Sequence, residues 1–252
     1  LNMCGILFTN RNDISEKRFL NSLDLMIHRG PDATGYAEFK NFKLGHQRLK
    51  IVDLMDRSNQ PMTSSCKRYT MIFNGEIYNY KEIRNKLILL GYEFTTNGDT
   101  EVAIKAFHKW GYKCVDLFDG MFISIYKSNN RVTVITDHFG EKPLYIFNTS
   151  NSIYLCSEAY PLVSTLNIKF SPSKQDIDFF LVNGFMDFDN LGFKGLRRIR
   201  PGKILEIEDG KLISEHSYFS NELKSNTSSL DISEIENLLV QSIFRFSPSL
   251  IL

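Results

Sequence analysis

The chain has 252 residues, which is enough for one or two domains. Hydrophobic residues make up 42% of it and charged residues 23%, a composition typical of globular proteins. The formal net charge is +1 and the lysines and arginines are scattered, which excludes a global electrostatic attraction to nucleic acid or to an anionic membrane surface.

The four cysteines, Cys4, Cys66, Cys114 and Cys156, are far apart and form no Cys-x-x-Cys pair. This spacing argues against a zinc site and against a disulfide-dense scaffold. No apolar stretch approaches the roughly 20 residues of a membrane span, and the N-terminus has no signal-peptide pattern. We therefore expect a cytoplasmic protein with no metal site and no association with nucleic acid or membrane.

The first predicted element is a buried strand over residues 4–9, a short, apolar and β-favouring run. Apolar residues within 20–27 predict an amphipathic helix that ends near His28, where a polar Arg-Gly-Pro-Asp turn breaks it. Strands and loops are expected next, with apolar runs at 49–54 and 69–73.

Two helices are predicted in the middle of the chain. The first closes at Gly91. The second begins near Thr100, with Asp99 as a favourable N-cap, and ends around Trp110.

The second half of the chain is rich in hairpin signals. Three pairs of apolar runs are joined by short polar turns: 121–126 with 131–136, 144–147 with 153–156, and 203–208 with 211–213. Hairpins with helices between them predict an α+β domain of antiparallel sheets covered by helices. Residues 219–230 have the polar composition of a linker, and a helical period begins at Asp231.

Cys4 is the first candidate for chemistry. If Met3 and whatever precedes it are removed, Cys4 becomes the N-terminal residue. A free α-amino group has a pKa of about 7.7–8, so it is available as a base near neutral pH, within reach of the thiol of the same residue. Gly5 would leave space for a substrate to approach. The alternative is a buried structural cysteine in a strand.

Three further segments carry groups that could bind a substrate. Asn74 and Gly75 follow an apolar strand, where a side-chain amide and a backbone N–H can form an oxyanion hole, although a plain β-turn is the alternative. Arg48 can grip an α-carboxylate with two hydrogen bonds. Asp99 can accept from an α-ammonium group, or it can serve only as a helix cap.

Eight short motifs occur in one order along the chain: Met3–Ile6, His28–Asp32, His46–Leu49, Asn74–Asn79, Gly98–Glu101, Phe118–Phe122, Asp137–Tyr145 and Ser157–Glu158. Several are weak alone. Together they resemble the glutaminase domain of the glutamine-dependent asparagine synthetases, which are N-terminal-nucleophile amidotransferases. The resemblance runs from Cys4 to about Gly202 and implies a four-layer αββα sandwich of two antiparallel sheets.

The resemblance implies a catalytic set. Cys4 attacks the glutamine carboxamide and its free amine carries the proton, so that glutamate and ammonia are released. Asn74 and Gly75 correspond to the oxyanion hole. The reaction itself implies no cofactor.

The resemblance also implies a substrate-binding set. Arg48 corresponds to the residue that binds the α-carboxylate of glutamine, and Asp99 to the residue that binds its α-ammonium group. The backbone around Ile51 and Val52 and the carboxylate of Glu76 correspond to further substrate contacts.

Four departures from the family pattern stand out. Leu1 and Asn2 precede Met3, whereas the family usually begins at Met-Cys. Lys50 replaces a common serine, and Thr136 a usual arginine. The Ser-Gly-Gly-x-Asp-Ser loop, which binds ATP in the synthetase domain of the family, does not occur in this sequence, so ATP and Mg are expected only with that missing domain.

These observations predict a glutamine amidotransferase domain over 4–218, a linker over 219–230 and the start of a synthetase-type helical segment over 231–252. The expected partners are glutamine and a synthetase domain, in cis or in trans, with a homodimer as one option. Two alternatives stay open. One is a stand-alone amidotransferase for another acceptor, such as a sugar or a small acid. The other is a catalytically silent glutamine-sensing domain.

Overall fold

A computed structural model describes the following residues: 3–11, 14–149, 152–219 and 231–246. Contacts divide the chain into two compact units, Leu1–Tyr218 and Phe219–Leu252, and each is described by itself. Every candidate site residue belongs to the first unit.

The described part of the first unit contains twelve strands, which are, in chain order, β1 (Gly5–Thr9), β2 (Ala33–Phe39), β3 (Phe42–Arg48), β4 (Met62–Thr63), β5 (Thr70–Ile77), β6 (Gly120–Ser128), β7 (Arg131–Thr136), β8 (Tyr145–Asn148), β9 (Ile153–Cys156), β10 (Leu196–Arg198), β11 (Lys203–Glu208) and β12 (Lys211–Ser217). Its α-helices are α1 (Glu16–Asp24), α2 (Tyr80–Leu89), α3 (Asp99–Trp110), α4 (Ala159–Leu166) and α5 (Lys174–Asn183). Short 3-10 helices span Asp56–Ser58 and Gly111–Leu117.

The strands form two antiparallel sheets, each with six strands among the residues described. The first has the order β10-β8-β9-β1-β3-β2 and the second the order β12-β11-β7-β6-β5-β4. All three predicted hairpins are present as the neighbouring pairs β6–β7, β8–β9 and β11–β12. The predicted α+β class is confirmed.

Successive side chains of a strand point to opposite faces of its sheet, so the apolar side chains form three separate layers. Ile6 and Phe8 of β1 pack into the layer between the two sheets, together with residues of the second sheet such as Ile125. Leu7, between them in the chain, packs with α1 and α4 on the outer face of the first sheet. Helices α2 and α3 cover the outer face of the second sheet through residues such as Leu87. The result is the predicted αββα order of layers.

Four local predictions differ from the structure, and three of them concern single residues or helix ends. Helix α1 ends at Asp24 rather than near His28, because backbone bonds of the tighter i→i+3 type, such as that from Met26 N–H to Leu23 O, carry the chain through the next turn. The N-cap of α3 is Gly98, so Asp99 is the first helical residue rather than the cap. Gly5 faces Met26 and Gln47 rather than a substrate space, since an added Cβ would lie 3.2 Å from Met26 Cβ.

The apolar run 49–54 is a loop rather than a strand. The side chain of Arg48, the last residue of β3, donates to the carbonyl oxygens of Asp53 and Met55. These bonds take the backbone acceptors that a neighbouring strand would need, and they turn the segment back on itself.

The described part of the second unit is one helix, α6 (Ile232–Phe246), at the position where the helical period begins. The predicted linker lies, except for Phe219, outside the described residues, as does the end of the chain from 247 onward. Among the residues that the structure describes, no helix combines the length and apolarity needed to cross a bilayer.

Candidate active site

All eight residues singled out in the sequence line one cavity of about 430 Å³. They are Cys4, Arg48, Ile51, Val52, Asn74, Gly75, Glu76 and Asp99. The cavity is formed where the start of β1, the end of β3, the end of β5 and the start of α3 meet. Its volume lies in the range of small-ligand sites. Positions separated by as many as 95 residues in the chain thus meet in one cavity, to which both sheets and helix α3 contribute.

Cys4 directly precedes β1, and the side chain of Arg29 fixes its backbone. The Nε–H of Arg29 donates to the carbonyl oxygen of Cys4 at 3.0 Å, and the Nη1–H of the same arginine donates to Glu158 at 3.1 Å. Arg29 comes from the His28–Asp32 motif. The turn is braced in its own right, since Asp32 accepts from the backbone N–H of Lys50 at 2.8 Å.

The thiol of Cys4 is half-buried and contacts the backbone of Leu49. Its sulfur lies 3.4 Å from the Leu49 nitrogen and 3.7 Å from the Leu49 oxygen. Burial raises the pKa of the thiol, and the negative charge of Asp99 adds to this, while the bond from Leu49 and the charges of Arg48 and Arg29 oppose it. A thiol with a raised pKa is mostly protonated at neutral pH, so it needs a nearby base before it can attack.

Asn74 and Gly75 lie at the end of β5, facing the cavity. The Nδ2 atom of Asn74 is buried and has no hydrogen-bond partner among the described residues. An unpaired buried amide is costly, so a ligand oxygen that accepts from it would be held strongly. This is the property that a donor in an oxyanion hole requires.

The backbone of Gly75 offers a second donor. Strand β4 pairs only with Thr70 and Met71, so the edge of β5 is open beyond them. Backbone groups of alternate residues in an antiparallel strand face the same edge, and those of Phe73 face away from β6, toward Gln60. The N–H of Gly75 therefore points to the open edge, into the cavity.

Only glycine fits at position 75. Its φ is +148°, which is disfavoured for residues with a side chain. An added Cβ would lie 2.1 Å from the carbonyl oxygen of Met121 and 2.5 Å from the Cα of Phe122 on the neighbouring strand. The close approach of β5 and β6 at this point fixes the position of the Gly75 N–H.

Arg48 supports the loop over the cavity as well as lining it. Besides the carbonyl oxygens of Asp53 and Met55, it donates to Oδ1 of Asn59 at 2.6 Å. Three of the five N–H groups of the guanidinium are used in this way, which leaves two for a ligand. Ile51 and Val52 lie on the loop that Arg48 holds.

Asp53 ties the same loop to the approach of α3. Its carboxylate accepts from the backbone N–H of Asn97 at 2.8 Å and from that of Met55 at 3.0 Å. Burial alone would raise the pKa of Asp53, but these bonds, together with the charge of Arg57, lower it to about 2. Asp53 therefore stays ionised and keeps the loop in place at neutral pH.

Asp99 carries its carboxylate in the wall of the cavity at the N-terminus of α3. It is 5% exposed, and its Oδ2 accepts from the backbone N–H of Ile77 at 3.1 Å. Burial raises the pKa of Asp99 to about 6, with a further contribution from the charge of Glu76, against bonds from the N–H groups of Ile77 and Thr100. Two carboxylates at one end of the cavity create a preference for a cation.

Lys142 is a cavity residue that sequence reasoning missed. It is 6% exposed and its Nζ lies 3.0 Å from the sulfur of Met3. Burial lowers the pKa of Lys142, and the charges of Glu76 and Glu141 oppose that change. Its one signal in the sequence is its place within the Asp137–Tyr145 motif.

Asp137 stabilises the turn that brings Lys142 to the cavity. This buried carboxylate accepts from the backbone N–H groups of Phe122, Phe139, Glu141 and Lys142 at 2.9–3.3 Å. The preceding Thr136, where the family usually has arginine, bonds instead to the backbone of Arg200 and Lys203 through its hydroxyl. Thr136 thus links the end of β7 to the chain before β11 through its hydroxyl.

Comparison with known proteins agrees with this geometry. A family model described as a glutamine amidotransferase domain matches residues 3–219. Glutamine-hydrolysing asparagine synthetase 1 of Bacillus subtilis is 29% identical over 251 residues, which cover 96% of this chain and 39% of that protein. Asparagine synthetase B of Escherichia coli is 35% identical over 170 residues, which cover 64% of this chain and 30% of that protein. The chain spans about two fifths of the length of the Bacillus relative.

A solved structure shows the same fold. The glutamine phosphoribosylpyrophosphate amidotransferase of B. subtilis, complexed with ADP and GMP, superposes with a TM-score of 0.65 at 18% identity, over 86% of this chain and 50% of that chain. The predicted sandwich and the predicted resemblance to the glutaminase half of asparagine synthetases are both confirmed. The chain belongs to the glutamine amidotransferase domain family.

Proposed function

We propose that Cys4 is the nucleophile with which this amidotransferase domain hydrolyses glutamine to glutamate and ammonia. One observation carries the proposal: the unpaired Nδ2 of Asn74 shares a single cavity with the Cys4 thiol and with ionic groups of both signs. A cysteine, a free amide donor, a guanidinium and a carboxylate together suit an amino acid with a side-chain carboxamide. A buried structural cysteine would leave this grouping unexplained.

The first half of the reaction forms a thioester. The free α-amino group of Cys4 takes the thiol proton, and the sulfur attacks the carboxamide carbon of glutamine. The developing oxyanion accepts from Asn74 Nδ2 and from the Gly75 N–H. The intermediate collapses as the carbon–nitrogen bond breaks, and the ammonium of Cys4 returns the proton to the leaving ammonia.

The second half regenerates the enzyme. A water molecule gives a proton to the amine of Cys4 and attacks the thioester carbon, and the same two donors stabilise the second oxyanion. Breaking the carbon–sulfur bond releases glutamate and restores the thiol with the proton held by the amine. One water is consumed and one ammonia is produced, with no redox change and no cofactor.

Charged groups of both signs that line the cavity orient the substrate. The two remaining N–H groups of Arg48 are suited to the α-carboxylate of glutamine. The carboxylate of Asp99, with that of Glu76 beside it, is suited to the α-ammonium group. The backbone around Ile51 and Val52 closes the cavity from the loop side.

This mechanism requires Cys4 to carry a free amine. In the sequence Met3 precedes it, and the side chain of Met3 lines the cavity. We propose that cleavage between Met3 and Cys4 both creates the base and clears the cavity.

The acceptor of the ammonia is the remaining part of the proposal. The relatives named above are asparagine synthetases, and the chain covers 39% of the first of them. We propose that the ammonia serves asparagine synthesis from aspartate in a synthetase domain, in cis or in trans, where ATP and Mg would act. The isolated domain is expected to release ammonia without forming asparagine.

Trapping the thioester tests the nucleophile. Protein that begins at Cys4 is mixed with glutamine, quenched in acid and analysed by peptide mass spectrometry. We expect a γ-glutamyl adduct on the peptide containing Cys4, and neither adduct nor ammonia from Cys4→Ala. Cys66→Ala, which removes an exposed free thiol, is the control and should behave as wild type. Ammonia release by Cys4→Ala would refute the proposal.

A further inference from the structure

Gln60 holds both backbone groups of Phe73, the residue before Asn74. Its side-chain oxygen accepts from the Phe73 N–H at 2.6 Å, and its Nε2 donates to the Phe73 carbonyl oxygen at 3.2 Å. Gln60 is 6% exposed, so these bonds are shielded from water. The two bonds fix the plane of the backbone on both sides of Phe73.

The side chain of Gln60 bonds to the edge of β5 at a point where no strand pairs with it. In the register of β4 with β5, Met62 lies opposite Met71, so that residue 60 lies opposite Phe73. The intervening Pro61 has no N–H to donate, and the β4 ladder stops at Met62. Without Gln60 the buried N–H of Phe73 would lose its acceptor, and the Phe73 carbonyl would lose one of its donors.

His46 of β3 adds a bond from the other sheet. Its Nε2 lies 3.0 Å from the Phe73 carbonyl oxygen. Burial lowers the pKa of His46 to about 4, against the bond to Phe73, so the ring is neutral at pH 7. Because a carbonyl only accepts, Nε2 carries the proton. The Phe73 carbonyl thus receives two donors from two different elements.

These bonds lie one residue from one candidate oxyanion donor and two residues from the other. The Gly75 N–H faces the same open edge of β5 as the backbone of Phe73, and nothing from β4 reaches that far. The orientation of the edge at Asn74 and Gly75 therefore depends on the anchor at Phe73. A rotation of the Phe73 backbone would move both donors relative to Cys4.

We infer that Gln60 is a positioning residue that holds the Asn74 and Gly75 donors in register with the Cys4 thiol. The inference rests on the proposed glutaminase reaction. Gln60 acts through the backbone of Phe73 and takes no part in the chemistry itself. Its removal should weaken the stabilisation of the oxyanion more than any step that forms no oxyanion.

Gln60→Met, which keeps the size of the side chain and removes its two bonds to Phe73 together with its 3.5 Å bond to Thr100 Oγ1, tests this selectivity. Three quantities are measured on protein beginning at Cys4: the acylation rate with glutamine, the rate of Cys4 alkylation by iodoacetamide, and the Kd for glutamate. Alkylation and glutamate binding form no tetrahedral oxyanion. We expect acylation to fall roughly 10- to 100-fold, with the other two within about twofold of wild type.

Gln47→Met is the matched control. Gln47 is a fully buried glutamine of β3 whose amide donates to Leu23 O at 3.3 Å and whose oxygen accepts from Thr34 at 2.7 Å. It does not bond to β5, so its loss should leave the ratio of acylation to alkylation unchanged. Gln60→Glu serves if Gln60→Met does not fold. It keeps the acceptor for Phe73 N–H, and when ionised it lacks the donor, so a selective loss in acylation is again expected.

The outcomes distinguish a failure of the proposed glutaminase reaction from a failure of the proposed role of Gln60. A wild-type protein that is not acylated by glutamine would overturn the proposed function itself. If wild type is acylated and Gln60→Met is acylated at the same rate, the positioning role is wrong. It is also wrong if all three quantities fall together, or if Gln47→Met shows the same selective loss.

Discussion

The sulfur of Cys4 lies 3.4 Å from the backbone nitrogen of Leu49, the residue that follows Arg48 at the end of β3. Strand β1 pairs with β3 so that Gly5 lies opposite Gln47, and this register places the start of one strand beside the end of the other. The nucleophile and the arginine of the proposed substrate site are thus positioned by one strand pair. Changes in either are therefore expected to act on the same cavity.

Arg48→Ala should raise the KM for glutamine by about 10- to 100-fold. The α-carboxylate would lose a charge-assisted pair of hydrogen bonds, worth on the order of 1.5–3 kcal/mol. The loop should also loosen, because Asn59 loses its partner. Steady-state kinetics and thermal unfolding measure the two effects. An unchanged KM would remove Arg48 from the substrate site, and Arg131→Ala, at an exposed pair with Glu208, should change neither quantity.

Asp99→Asn should raise the KM for glutamine and remove its dependence on pH near 6. The pKa of Asp99 is raised to about 6, and only the ionised form can pair with the α-ammonium group. In the wild type, KM should therefore rise as pH falls below 6, approaching tenfold per pH unit. Kinetics between pH 5 and 8 give the profile. A wild-type KM independent of pH across this range would contradict the role of Asp99.

The same substitution should stabilise the protein without ligand. The folded-state pKa of Asp99, about 6, lies above the ordinary value of 3.8. The folded state therefore holds the proton more tightly, and the free energy of unfolding falls as pH rises from 4 to 6. Asp99→Asn should raise that free energy by on the order of 1–3 kcal/mol at pH 7, with little gain at pH 4. Urea unfolding at both pH values checks the sign, and destabilisation at pH 7 would contradict it.

Gly75→Ala should disrupt β5 and abolish ammonia release. The added methyl group would lie 2.1 Å from Met121 O, and the φ of +148° is strained for alanine. We expect a loss of roughly 3 kcal/mol or more in unfolding free energy. Gly91→Ala is the matched control, because its φ is also positive but no atom lies within 4 Å of the added Cβ. It should cost about 1 kcal/mol and leave activity intact. Equal effects of the two changes would show that space at Gly75 is not decisive.

Much of the fold and site could be predicted from the sequence. The hairpins were visible as paired apolar runs with polar turns, since two-residue periodicity is a local property. The residues of the cavity could be predicted because they lie in short motifs. The order of these motifs along the chain is specific, whereas no single motif is. Asn74 and Gly75 alone would have been taken as a turn.

Other features depend on partners that no local pattern reveals. The run 49–54 resembles a strand in composition, but it is a loop in which Arg48 bonds to the carbonyl oxygen of Asp53 and to that of Met55 just beyond the run. Gln60 and Lys142 reach the cavity through the course of the chain in three dimensions. Lys142 lies inside the Asp137–Tyr145 motif and Gln60 lies in none of the eight motifs, and the partner of each, Met3 for Lys142 and the Phe73 backbone for Gln60, is distant in the chain.

The most direct test compares ammonia release from glutamine by two forms of the domain. One begins at Cys4, produced by specific proteolysis, and the other retains Met3. The account predicts glutamine-dependent ammonia release from the form that begins at Cys4 and none from the other, whose Cys4 nitrogen is an amide without basicity. Equal release by both forms, or none by the form beginning at Cys4, would contradict it.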